Sequence, residues 1–252
     1  MNKSGKIKLW AIVAWLIIWH IVSLLIGHSF ILVSPWQVLV RGFELVQTSD
    51  FWLSVLNSTA KIAIGYILAV AIGILFAGLA SKYQRFREFI SPLVLTIKTV
   101  PVVSFIILVL ILLPSKSLSI LISFLIAMPI VYTNVLEGIS NTSREMLEMA
   151  DVFDIRGMKR IRHIYLPDVY PHLRSAAMTA CGMAWKAGAA AEVIGVPQGS
   201  IGEKLQRAKV YLETPDLFAW TIVIVVMSLL MEKLFIWIMD FIIVRGNAKR
   251  ED

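Results

Sequence analysis

The sequence predicts an all-α, polytopic membrane protein with about six transmembrane helices, and three observations carry that prediction. Hydrophobic residues fill 58% of the 252 positions and charged residues 16%, which is more apolar surface than one soluble core of this length can bury. Apolar runs of about 20 residues, the length of helix that crosses a bilayer, recur along the whole chain. The basic residues behind the net charge of +7 sit in short clusters between those runs. That is the pattern of topology signals, not of a nucleic-acid-binding face.

The first span is Leu9 to Gly27. It follows Lys3, Lys6 and Lys8, as a signal peptide would, yet it is long, carries Trp10, Trp15 and Trp19, and lacks a small-residue cleavage site. It is therefore read as a retained helix. From His28 to Asp50 the character is mixed. Ser34-Pro35-Trp36, followed by Val38, Leu39, Gly42, Phe43 and Val46, predicts a short amphipathic surface helix with Ser34 as cap and Pro35 in its first turn.

The second span runs from about Thr59 to Ala80 and ends at Lys82, Arg85 and Arg87. The third, about Phe89 to Leu113, is interrupted by Pro101, while Pro92 sits where a first turn tolerates it. A short loop, Pro114 to Ser117, leads to a fourth span of about Leu118 to Gly138, and then comes the longest polar insertion, Ile139 to Tyr165. The fifth span lies in about Val169 to Val193, where small residues from Ala176 to Ala191 allow close helix packing. Gly195, Pro197, Gly199 and Gly202 mark a loop, a short amphipathic helix covers about Glu203 to Leu212, and Pro215 opens the last span, about Leu217 to Val244. With no internal repeat, residues 1–252 read as a single transmembrane domain.

Loop charge sets the orientation. One side receives the N-terminal lysines, the Lys82 to Arg87 cluster, the insertion from Arg144 to Arg162, and Arg245, Lys249 and Arg250. The other receives Arg41, Lys116, Lys204, Arg207 and Lys209, offset by Glu44, Asp50, Glu203, Glu213 and Asp216. Both termini are accordingly expected in the cytoplasm.

Several chemistries find no support. The single Cys181 excludes an internal disulfide and a cysteine metal cluster, and His20, His28, His163 and His172 lack metal-ligand spacing. No nucleophile, base and orienting group cluster in the loops, so no catalytic residue is expected. No Gly-x-x-x-x-Gly-Lys-Ser/Thr segment is present to cradle ATP phosphates.

The informative stretch is the insertion. Met146, Met149, Ala150 and Phe153 recur at helical spacing after Asn141, Thr142 and Ser143, which offer caps, and Glu145 and Glu148 lie among them. The result is a short amphipathic helix, too short to span, with one face that something must cover. The alternative occupant of that face is the lipid headgroup layer.

Glu148, Ala150, Ile164, Leu166 and Pro167 fall in ungapped register with Glu-Ala-Ala, three residues, Gly, nine residues, Ile-x-Leu-Pro. In this the chain resembles the binding-protein-dependent importer permeases of the ATP-binding cassette class. Met149 replaces the second motif residue, and Asp154 stands where the family has Gly; the helix stop is expected at Asp154 or at Gly157. Ser34-Pro35-Trp36, Ile97-Lys98-Thr99-Val100-Pro101, Ala184-Trp185 with Ala191-Glu192, and Leu229 to Leu234 resemble the nitrate, sulfonate and taurine branch.

The resemblance implies the type I importer permease fold and a bacterial-type inner-membrane location. It implies a coupling loop at 139–166, a second permease copy, and two ATPase subunits that bind the ATP and Mg, this chain itself holding no cofactor. It also implies an external binding protein that delivers a small solute.

Lys98, Lys186, Glu192, Glu232 and Lys233 lie in apolar runs, where a lipid-facing charge costs on the order of 2.5–3.5 kcal/mol. Lys98 and Lys186, with Glu192, are candidates for the translocation pathway and favour an anionic solute. The structural alternative pairs the lysines with Glu192 or lets them snorkel, with Glu232 and Lys233 anchoring helices near an interface. A rival function, a secondary transporter with these Lys and Glu residues as a proton relay, predicts repeat symmetry and independence from an ATPase.

Overall fold

In the computed structural model, residues 8–27 and 32–248 are described, the last seven of them by backbone alone. The expectations placed on Lys3, Lys6, His28, Lys249 and Arg250 lie outside the described residues. Eleven α-helices and no strand occur among those described: α1 (Leu9–Ile26), α2 (Pro35–Val46), α3 (Ser49–Lys82), α4 (Gln84–Thr99), α5 (Val102–Leu112), α6 (Leu118–Ser140), α7 (Arg144–Val152), α8 (Gly157–Arg160), α9 (Leu166–Gly195), α10 (Ile201–Val210) and α11 (Thr214–Ala248).

Four stretches among the described residues are long and apolar enough to cross a membrane: α1, α3, Ser115–Ser140 and Thr214–Phe241. The third expected span is divided. α4 and α5 meet at 106° across Val100 and Pro101, because Val100 is forced into extended backbone (ψ 133°) ahead of the proline. α9 occupies the place of the fifth span but is less apolar, carrying Asp168, Arg174, Lys186 and Glu192. Other helices, not lipid, cover most of it.

α6 is the hub, with α3 against one side and α9 against another. Close approach is built in by small residues: a Cβ on Gly65 of α3 would lie 2.3 Å from the Ile120 carbonyl oxygen. Hydroxyls tie α9 to both neighbours, Ser123 of α6 donating to the Ala184 carbonyl at 3.0 Å and Tyr66 of α3 to the Ala177 carbonyl at 3.0 Å. The main core, with Ile62, Tyr66, Val131, Val135 and Trp185, lies between these three helices and takes Met231 from α11.

α1 buries no residue. It is held near its C-terminal end by Trp19 and Ser23, which donate to the carbonyls of Val33 and Leu32 at 3.0 and 3.1 Å. α2 begins as the sequence predicts: the Ser34 side chain accepts from the Gln37 amide, Gln37 reaches back to Ser34, and Pro35 follows. Arg41 of α2 is held by Asp216 of α11 and, at 2.8 Å, by Glu44. Its hydrogen bonds to Asp216 and then Glu44 keep the guanidinium pKa above its ordinary value.

Candidate functional site

The polar insertion folds into a capped helix. Ser143 supplies the N-cap, accepting from the Met146 amide at 3.3 Å, and Glu145 lies in the first turn, where the helix dipole favours an acid. At the other end Asp154 takes φ +50°. The Ile155 amide donates to the Ala150 carbonyl at 2.8 Å and the Asp154 amide to the Asp151 carbonyl at 3.2 Å. This pair of bonds is a Schellman stop, formed here on Asp. Gly157 also has positive φ, +58°, so the chain turns twice, at both residues between which the sequence left the stop open.

The faces of α7 are unequal. Ala150 is fully buried within this chain. It therefore does not belong to the open apolar face expected from helical spacing, because α7 packs back on the turn Ile161–Tyr165, whose Ile164 is also buried. Met146 and Met149 are 38% and 41% exposed, Phe153 71%, and Val152, which spacing alone did not single out, 82%. Glu145 and Glu148 are exposed beside them.

The second half of the insertion is helical sooner than expected. Helix begins at Gly157, passes through a wider π-type turn at Ile161–Tyr165 and continues into α9 without a break, Arg160, Ile161, Tyr165 and Leu166 all keeping right-handed helical backbone. Pro167 lies in the first turn of α9, the second residue after the widened turn, which accommodates a ring that cannot donate to the carbonyl four residues back. Leu166 is exposed. A few residues on, Tyr170 and Arg174 both donate to Asp240 of α11, Arg174 through Nε at 3.0 Å and Nη2 at 3.2 Å.

About 27 Å beyond Arg174 along α9, Glu192 is completely buried. Its carboxylate accepts from Ser58 of α3 at 2.6 Å, from Ser119 of α6 at 2.9 Å and from the Gly202 amide of α10 at 3.3 Å. Ser58 in turn accepts from the Ile201 amide at 2.9 Å. Glu192 therefore joins four helices and caps α10. A Cβ at Gly202 would stand 2.3 Å from the Glu192 Cβ. The sequence marked Gly202 only as a loop residue and did not single out the two serines, since isolated small residues in apolar runs carry no spacing signal.

Glu192 pairs with neither candidate lysine. Lys98 is exposed and donates to Thr133 of α6 at 2.7 Å. Lys186 is exposed on the stripe of α9 that also shows Ser175, Thr179, Met183 and Ala190. No group of three or more His, Cys, Asp or Glu able to hold a metal occurs among the described residues.

The chain is 24% identical over 213 residues to the putative aliphatic sulfonates transport permease protein SsuC of Bacillus subtilis (strain 168), covering 84% of this chain and 77% of that one. It is 26% identical over 198 residues to the nitrate import permease protein NrtB of Synechococcus elongatus, covering 75% and 71%. With the formylaminopyrimidine transport permease protein ThiX of Halalkalibacterium halodurans it shares 25% identity over 205 residues, 81% of each chain. Residues 69–245, which take in the insertion, both ends of α9 and most of α11, match one family model, so the chain belongs to the binding-protein-dependent transport system inner membrane components, the permeases of ATP-binding cassette importers.

Proposed function

We propose that this chain is one half of a permease homodimer that carries a small anionic solute of the nitrate, sulfonate or taurine kind into the cytoplasm. An external binding protein delivers the solute, and two ATP-binding cassette subunits, holding ATP and Mg, seat on the two copies of α7. Both termini and residues 139–166 lie on the cytoplasmic side, in line with the loop charges.

The observation that carries this reading is the exposed apolar set Met146, Met149, Val152 and Phe153 on a helix that is fully capped. A folded surface of that composition is complementary to a protein cleft. The π turn and the unbroken run from Gly157 through α9 favour transmission, since a push on the insertion reaches the span without a flexible joint, and the Asp240 bonds carry it to α11.

The solute path follows from what is left open. The stripe of α9 with Ser175, Thr179, Met183, Lys186 and Ala190 is uncovered and carries one cation and two hydroxyls, so a second copy facing it would enclose a path of positive potential. Glu192, buried and bonded to hydroxyls, holds the scaffold beside that path. Co-purification of the permease with its ATPase, followed by ATP hydrolysis in proteoliposomes with loaded binding protein, tests the proposal. Full transport by the permease without any ATPase would refute it.

A further inference from the structure

A cavity of about 630 Å³ opens at the end of the spans that carries the 139–166 insertion, between the last turns of α3 and α6 and the start of α9. Its composition changes along its length. Lys82, Gln84 and Arg87 line it at the end of α3 and the start of α4, which makes them its rim, while Ile74, Val135 and Leu173 line it about one to two helical turns further in along α3, α6 and α9. Ile74 and Lys82 are eight residues apart on one helix, so the apolar part reaches about 12 Å below the rim. Neither cation of the rim forms an ion pair with a carboxylate among the described residues. Lys82 Nζ instead lies 5.3 Å from the centroid of the neighbouring Tyr83 ring.

We infer that this cavity binds an anionic phospholipid, its phosphate between Lys82 and Arg87 and an acyl chain along Ile74, Val135 and Leu173. The pattern fits an amphiphile with one negative end. A soluble phosphate would have no use for the apolar depth, and a zwitterionic lipid would leave the two cations without a net counter-charge. The cavity also touches Tyr165 and Leu166, so a lipid seated there packs against the joint between the insertion and α9. The site rests on the cavity and its charges alone and stands apart from the coupling role proposed for α7.

Gly78 gives a clean probe. It lines the cavity, and a Cβ added there meets nothing within 4 Å, so Gly78→Trp introduces bulk from an open position and keeps both cations. The test is native mass spectrometry of the detergent-purified full chain with equal amounts of palmitoyl-oleoyl phosphatidylglycerol and phosphatidylcholine. Phosphatidylglycerol is expected to be retained selectively. Each of Lys82→Gln and Arg87→Gln should reduce that selectivity about fivefold, and the pair about 25-fold, the effect of one cation near an anionic headgroup taken once and twice. Gly78→Trp should lower phosphatidylglycerol retention with melting behaviour unchanged. Equal retention of both lipids by the wild type, undiminished selectivity in the double variant, or displacement of the lipid by excess inorganic phosphate would overturn the inference.

Discussion

The Ile155 amide donates to the Ala150 carbonyl at 2.8 Å, across the end of α7. With Ser143 capping the other end, both ends of the helix are closed within this chain, and Ala150 is buried where the chain returns onto it. Two substitutions separate the stop from the open face. Asp154→Val places a β-branched residue at φ +50° and should cost about 1–2 kcal/mol of local stability; Asp154→Gly should not. Hydrogen exchange of the Leu147 to Ile155 amides reads the difference, with faster exchange expected only in the valine variant. Equal exchange in both would mean that the left-handed turn does not hold the helix end.

Glu192 satisfies two hydroxyls and an amide at once. Glu192→Leu orphans them, and an unsatisfied buried polar group costs about 1–3 kcal/mol. A markedly lower melting temperature is expected. Gly202→Ala should lower it as well, because the new Cβ would stand 2.3 Å from that of Glu192. Wild-type melting of Gly202→Ala would show that α10 does not seat on the carboxylate.

Lys98 and Lys186 are exposed and unpaired with Glu192. Replacing both by Met should slow uptake of an anionic solute in proteoliposomes by roughly tenfold, the lower range for lost electrostatic steering. Delivery by the binding protein should be unaffected. Normal transport by the double variant would assign the two lysines a structural role.

Much of this organisation was legible in the sequence, and the misses have physical causes. The Ser34 cap, the break at Pro101 and the Ser143 to Phe153 helix follow from local rules of capping, proline geometry and apolar spacing. Tertiary closure does not follow from such rules. Helical spacing grouped Ala150 with Met146, Met149 and Phe153, yet the return of the chain onto Ile161–Tyr165 buries Ala150 and leaves Val152 out. The insertion reads as polar loop after Phe153, yet helix resumes at Gly157 and runs through a widened turn into α9. The partners of Glu192 come from three helices far apart in sequence, and no single segment announces them.

The orientation is open to chemical labelling. In a Cys181→Ala background a cysteine at Ser143 should stay unmodified by an impermeant maleimide in intact cells and react once the membrane is opened. Cys181 is buried, so its replacement removes a background thiol from outside the labelled face. Reaction in intact cells would place the insertion outside the cytoplasm.

The coupling role of α7 is tested most directly on its open face, where substitution leaves the fold of the helix intact. Met149→Glu with Phe153→Ala removes apolar surface from residues 41% and 71% exposed and leaves the Ser143 cap and the Ala150 to Ile155 stop in place. Retention of the ATPase through purification, and ATP hydrolysis stimulated by loaded binding protein, are measured on the same reconstituted sample. The double variant is expected to insert and dimerise as the wild type does, and to lose the ATPase or its stimulation. Wild-type retention together with wild-type stimulation would contradict the assignment of α7 as the coupling element.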